Sequence, residues 1–264
     1  MTCHADSKPP STGQLKGLLP TSRKFAPPPR PYTVLSCAVS ADGCLDDASD
    51  SRLILSGPDD LDEVDALRAG CDAILVGAGT IRADDPRLLV RSPARVAARQ
   101  ARGAPPHPRR VTLTSAGALD PAARFFAGPG TPLVYCGSAA VPAVRARLGT
   151  AAEVTGAGDP PSLAAVLASL RTERALAAVL IEGGSHVLRD ALVLDLADEL
   201  RLAVAPFFVG SPYAPRFGLP GAYPQGPGRP MRLAAVRAAG SVAVLHYRIG
   251  DRERPAVLPP LSPG

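Results

Sequence analysis

The sequence predicts an α/β fold, a single domain built on a mixed and mainly parallel sheet flanked by helices, on three observations. Short apolar runs rich in Val, Leu and Ile alternate with stretches of helical period. Two of those runs end in glycine turns, GAGT at residues 77–80 and EGG at residues 182–184, a usual way for a strand to hand over to its covering helix. The last two runs are separated only by Gly240 and Ser241, the spacing of an antiparallel hairpin, which makes the sheet mixed.

Along the chain, residues 1–30 mix Ser, Thr, Lys and Gly with a PPPRP run beginning at Pro27 and are expected to form a disordered leader. The ordered domain is expected over residues 31–251 and a flexible tail over residues 252–264. YTVLSCAV (32–39) is a strand and SADG (40–43) its turn. A helix follows over residues 58–70: Ser56 or Gly57 caps it, Pro58 suits its first position, and Asp59 and Asp60 face its positive end. Leu61, Val64 and Leu67 form its apolar stripe, and Gly70 stops it.

DAILVG (72–77) is a buried strand, and residues 91–108, rich in Ala, Arg and Pro, are an excursion. RVTLT (110–114) and PLVYCG (132–137) are strands, and helices are expected over 139–148 and 162–171, the second capped by Asp159. AVLIEGG (178–184) is a strand followed by the helix SHVLRDALV (185–193), and ELRLAVAP (199–206) is the next strand. RLAAVRAA and VAVLHYRI are the closing hairpin.

Composition narrows the function. The chain has 264 residues, 46% of them hydrophobic, and a formal charge of +5, carried by arginines that no aromatic residues interleave. That favours a small anionic ligand over nucleic acid. Five scattered cysteines without a C-x-x-C pair argue against a disulfide framework and a zinc site; Cys37, Cys71 and Cys136 lie in apolar runs as small buried hydrophobes. His107, His186 and His246 have no metal-ligand spacing, so no metal is expected. No secretory signal and no apolar run of membrane-spanning length is visible, and a cytoplasmic location is expected.

The glycine turns carry the chemistry. Glycine lets backbone N–H groups approach a phosphate, and the start of the next helix adds its positive end. GAGT is no dinucleotide Rossmann fingerprint, because Arg82 stands at the third glycine position, and no G-K-[ST] phosphate loop or G-x-S-x-G elbow occurs. After GAGT comes RADDPRLLVR, with Asp84, Asp85 and Pro86 among Arg82, Arg87 and Arg91. By itself this reads equally as a charged surface turn or as an anion-holding segment. A glycine turn, two acids and an arginine cluster off one strand end favour the second.

SCAVSADG, LRAGCDAILVGAGTIRADDPRLLVR, VLIEGG and LADELRLAVAPFFVG together resemble the reductase domain of the riboflavin-biosynthesis deaminase/reductase family, in that family's motif order, over about residues 31–250. The resemblance implies a dihydrofolate-reductase-like fold, a homodimer, and NADPH-dependent reduction of a ribosylaminopyrimidine 5′-phosphate to the ribitylamino compound. It assigns Thr80, Asp84 and Ser115 to NADPH, and Gly183, Gly184 and Ser185 to its pyrophosphate turn. Ser51, Arg68, Leu88, Arg91 and Glu182 match substrate positions, the arginines facing phosphate. Glu182 would hold sugar hydroxyls or the pyrimidine, or help proton transfer. Without the family match, Arg68 reads equally as a surface or capping residue and Ser51 as a turn residue.

The chain departs from the family at Cys44-Leu45-Asp46-Asp47, where a basic residue is common, at Leu53, an aromatic in some members, and at Thr114-Ser115, usually Asp-Ser. Those departures suit a paralogue with another product. The H-x-E and P-C-x-x-C motifs of a zinc deaminase are absent. The alternatives are a dihydrofolate or other heterocycle reductase on the same fold, or a non-catalytic nucleotide-binding protein.

Overall fold

A computed structural model describes residues 29–47, 49 and 53–261. The leader expected at 1–30 falls outside the described residues except for Pro29 and Arg30, and Ser51 lies outside them too. Nine strands form one sheet: β1 (Tyr32–Val39), β2 (Ala73–Gly77), β3 (Arg109–Thr114), β4 (Leu133–Cys136), β5 (Glu153–Gly156), β6 (Ala178–Ile181), β7 (Glu199–Val204), β8 (Arg232–Ala239) and β9 (Val242–Arg248). Their spatial order is β5-β4-β3-β2-β6-β1-β7-β9-β8. Every pairing from β5 to β7 is parallel, and β9 runs antiparallel to both β7 and β8. The mixed, mainly parallel sheet with a closing hairpin is the architecture the sequence predicts.

Side-chain alternation splits the core into two layers. Leu75, Val111, Tyr135 and Ile181 pack with Val166 and Leu170 of α5 (Leu163–Thr172) and with Leu188 and Leu192 of α6 (Ser185–Val193). On the opposite face, Ile74, Val76 and Val134 meet Ile81 of α2 (Ala78–Asp84) and Val144 and Leu148 of α4 (Val141–Leu148). α1 (Pro58–Gly70) and α3 (Pro93–Ala101) complete the helices. None among the described residues is long and apolar enough to cross a membrane.

Most boundaries follow from the expected signals. α1 starts at Pro58 after Gly57, with Asp59 and Asp60 in its first turn. Asp60, however, is buried and accepts from the buried Arg201 of β7, so it ties helix to sheet. Four expectations are corrected. GAGT is not merely a turn, because α2 begins at Ala78. The 91–108 excursion contains α3, whose cap Ser92 accepts from Arg95 N at 3.4 Å. Ser162, not Asp159, caps α5; Pro160 and Pro161 set Asp159 apart from the helix, and it accepts from Ala139 N at 3.1 Å instead.

The tail expected to be flexible is docked as far as residue 261. Arg252 donates to Asp198 at 3.0 Å and Arg254 to Glu199 at 2.7 Å, and Leu258 is buried against Tyr32, Leu67 and Leu180. Arg30 holds Asp198 as well, at 2.6 and 2.9 Å. Gly70 makes room for the tail: a Cβ there would lie 2.9 Å from the Val257 carbonyl oxygen.

Candidate active site

β2 and β6 are parallel neighbours, so their carboxyl ends release the two glycine turns side by side. Glu182 N donates to Leu75 O at 3.1 Å, and Gly77 N donates to Gly183 O at 3.4 Å. Gly183 and Gly184 have φ of 138° and 84°, a region costly for any residue with a Cβ. A Cβ on Gly184 would meet Gly77 Cα and N at 3.4 Å and Thr80 Oγ1 at 3.5 Å. The turns therefore touch backbone to backbone, with the Thr80 hydroxyl beside them. α2 and α6 both start here, at Ala78 and Ser185, and no side chain caps either one. This cradle of glycine backbone at two helix starts is a setting that can take an anionic group.

Beside the cradle, Arg68 from α1 closes a two-pronged pair on Glu182, with Nε to Oε1 at 2.6 Å and Nη2 to Oε2 at 2.5 Å. Their side chains are 17% and 9% exposed. Burial opposes the charge of Arg68, but the attraction and hydrogen bonds of Glu182 outweigh it and hold the guanidinium above its ordinary range. Arg68 also donates to Leu89 O at 3.3 Å. Hydrogen bonds thus link Glu182 through Arg68 to Leu89, next to the paired Gly77 and Gly183 turns.

The remaining candidates divide. Asp84 follows Thr80 by four positions on α2 and shares its face. Ser115 directly follows β3 at the same edge of the sheet, and its carbonyl accepts from Gly137 N at 3.3 Å. Ser185 opens α6, its hydroxyl 3.5 Å from His186 Nδ1. The Leu88 side chain is buried in the core beside Ile81, which leaves only its backbone, at φ 52°, to face a ligand.

The arginines differ from expectation. Arg68 faces Glu182 rather than an open phosphate site, because a carboxylate this buried needs a cation. Arg91, 55% exposed, donates to Leu61 O at 2.6 Å, and Arg82 donates to Ala118 O.

Two acidic residues that hold the loops around these candidates were not singled out in the sequence. Asp42 of the SADG turn accepts from Ser40 Oγ, Val209 N and Gly210 N, which hold its carboxyl well below the usual carboxylate range and pin the loop after β1 to the loop after β7. Asp65 supports the Arg91 segment; its one sequence signal is its place three residues before Arg68, on the same helix face.

A mixed, mainly parallel α/β sheet whose adjacent strands release two glycine turns beside a buried acid–arginine pair has the layout of the nucleotide-binding α/β domains. Within that class, residues 31–245 match the RibD C-terminal domain, and the chain belongs to that family. It is 33% identical over 186 residues to 2,5-diamino-6-ribosylamino-4(3H)-pyrimidinone 5′-phosphate reductase of Archaeoglobus fulgidus, covering 70% of this chain and 85% of that protein. To the reductase of the same name from Methanothermobacter thermautotrophicus it is 36% identical over 185 residues, with 69% and 80% covered. Among solved structures, RibD of Acinetobacter baumannii superposes with a TM-score of 0.68 at 26% identity, over 83% of this chain and 58% of that longer one.

Proposed function

We propose that this chain is an NADPH-dependent reductase that converts the ribosyl group of a 5-amino-6-(5-phosphoribosylamino)pyrimidine to ribityl, as a step of riboflavin biosynthesis or of a related specialised pathway. The carrying observation is the backbone contact between the Gly77–Thr80 and Glu182–Gly184 turns, with the Arg68–Glu182 pair at their side. Gly183, Gly184 and Ser185 would take the cofactor's pyrophosphate, and Thr80, Asp84 and Ser115 its remaining polar groups. A bound nicotinamide would supply the hydride for C1′ of the ring-opened ribose. Positioning those two carbons is the protein's part of the work.

Glu182 keeps lone pairs beyond the two that Arg68 occupies and would accept from substrate hydroxyls. The Leu88 backbone would line the same sugar. Arg91 is exposed; its guanidinium donates to the Leu61 carbonyl and its Nε lies 3.8 Å from Asp65 Oδ1, so exchanging the carbonyl for the substrate phosphate would add a second, charge-assisted partner. We assign the active unit as a homodimer: β8 is an eight-residue edge strand with Leu233 and Val236 exposed, an edge suited to covering by a second copy.

The test is NADPH oxidation, followed at the nicotinamide absorbance band, with the diamino and the deaminated pyrimidine ribotides in turn and with NADH compared. Turnover of one ribotide is expected. Folded protein that binds NADPH and oxidises it with neither would refute the reading.

A further inference from the structure

We propose that Asp65 is a positioning residue that seats Arg91 for the substrate phosphate; this rests on the reductase reading above. Asp65 lies in the middle of α1 and is only 2% exposed. Its Oδ1 accepts from Arg91 N at 2.6 Å, and its Oδ2 accepts from Ser92 N at 3.1 Å and from Arg95 Nη1 at 3.1 Å. One turn on, Arg68 holds Leu89 O at 3.3 Å, and one turn back, Leu61 O receives the Arg91 guanidinium. Leu61, Asp65 and Arg68 fall on one stripe of the helix.

The 89–92 segment is thus fastened to α1 through its main chain, and the half-exposed Arg91 side chain lies along the same helix, its guanidinium on Leu61 O and its Nε 3.8 Å from Asp65 Oδ1. A buried carboxylate that gathers two consecutive backbone N–H groups fixes the root of that side chain to within a hydrogen bond's tolerance. The hydrogen-bond partners of Asp65 are Arg91, Ser92 and Arg95, none of them in the Gly183–Gly184 cradle, and its charge supports Arg68 only after that of Glu182. Its effect should therefore reach the phosphate and leave the cofactor alone.

Asp65→Asn tests this, because an amide at that place turns one N–H toward a donor whichever way it sits. With the ribotide as substrate, KM is expected to rise about tenfold, with kcat and NADPH affinity near wild type. With the same compound lacking its phosphate, KM should be unchanged. In combination with Arg91→Ala the substitution should add nothing further. Asp62→Asn, at the exposed end of the Arg95 pair, is the control that keeps the wild-type KM.

An unaltered ribotide KM, or equal loss with both substrates, overturns the proposal. Asp65→Glu moves the carboxylate by one methylene and carries the same split if the Asn variant fails to fold. If the wild type turns over no ribotide, the reductase reading fails separately. Hydrogen exchange of the 89–92 amides then decides: it should quicken at least tenfold in Asp65→Asn, and unchanged exchange sinks the role of Asp65.

Discussion

The Arg68–Glu182 pair can be taken apart by a double-mutant cycle made of Arg68→Met, Glu182→Leu and the two combined. Removing one partner from a buried ion pair costs about 3–5 kcal/mol, since the other charge is left without compensation, whereas exchanging both for apolar side chains is close to neutral. At 17% and 9% exposure, some solvent reaches this pair, so the lower end applies, about 3 kcal/mol for each single variant. In a chain of this size, each kcal/mol moves the melting temperature by about 2–4 °C. Each single variant should therefore melt about 6–12 °C below wild type, and the double variant within about 4 °C of it. Thermal unfolding followed by circular dichroism measures this directly. A double variant that falls by the sum of the two single losses would show the partners uncoupled and the pair incidental to the fold.

Gly184→Ala should be destabilised by about 1–3 kcal/mol, the usual cost of holding a side chain at an unfavourable positive φ, and calorimetry should show weakened NADPH binding, because relieving that φ shifts the backbone of the turn. Gly70→Ala should cost about 1–3 kcal/mol, as overpacking does; in a chain ending at residue 256 thermal melting should find it neutral, since Val257 and Leu258, which the methyl group would strike, are gone. His246 is buried and its pKa is pushed down to about 3, by desolvation first and then by Arg201, Arg237 and Arg254. The unfolded imidazole, with a pKa of about 6.5, binds a proton the folded one refuses. Stability should therefore be full above about pH 6.5 and fall as pH drops from there toward 3, with a slope of up to about 1.4 kcal/mol per pH unit. Urea unfolding across that range should find His246→Gln less acid-sensitive than wild type, and equal sensitivity would count against the reasoning.

What was legible in the sequence follows the strength of local signals. SHVLRDALV sits between a glycine turn and a polar turn, and its helix begins and ends as expected. α2 was hidden because glycine at a helix start leaves no side-chain cap to see. β5 is only four residues long, and its EVTG carries too little alternation to stand out. The tail rests on one buried leucine, whose slot over Gly70 exists only in three dimensions. The candidate site was legible as glycine turns and charges, but not as partnerships. An arginine's sequence position does not say whether its anion is a ligand or a carboxylate of the same chain. Arg68 finds Glu182 across 114 positions, and only the juxtaposition of α1 with the end of β6 reveals the pairing.

Asp198 gathers Arg30 from before β1 and Arg252 from beyond β9, at the amino edge of the sheet and away from the glycine cradle. The segment entering β1 and the segment leaving β9 are therefore clasped on a single carboxylate, which ties the start of the sheet to its finish from the side opposite the turns.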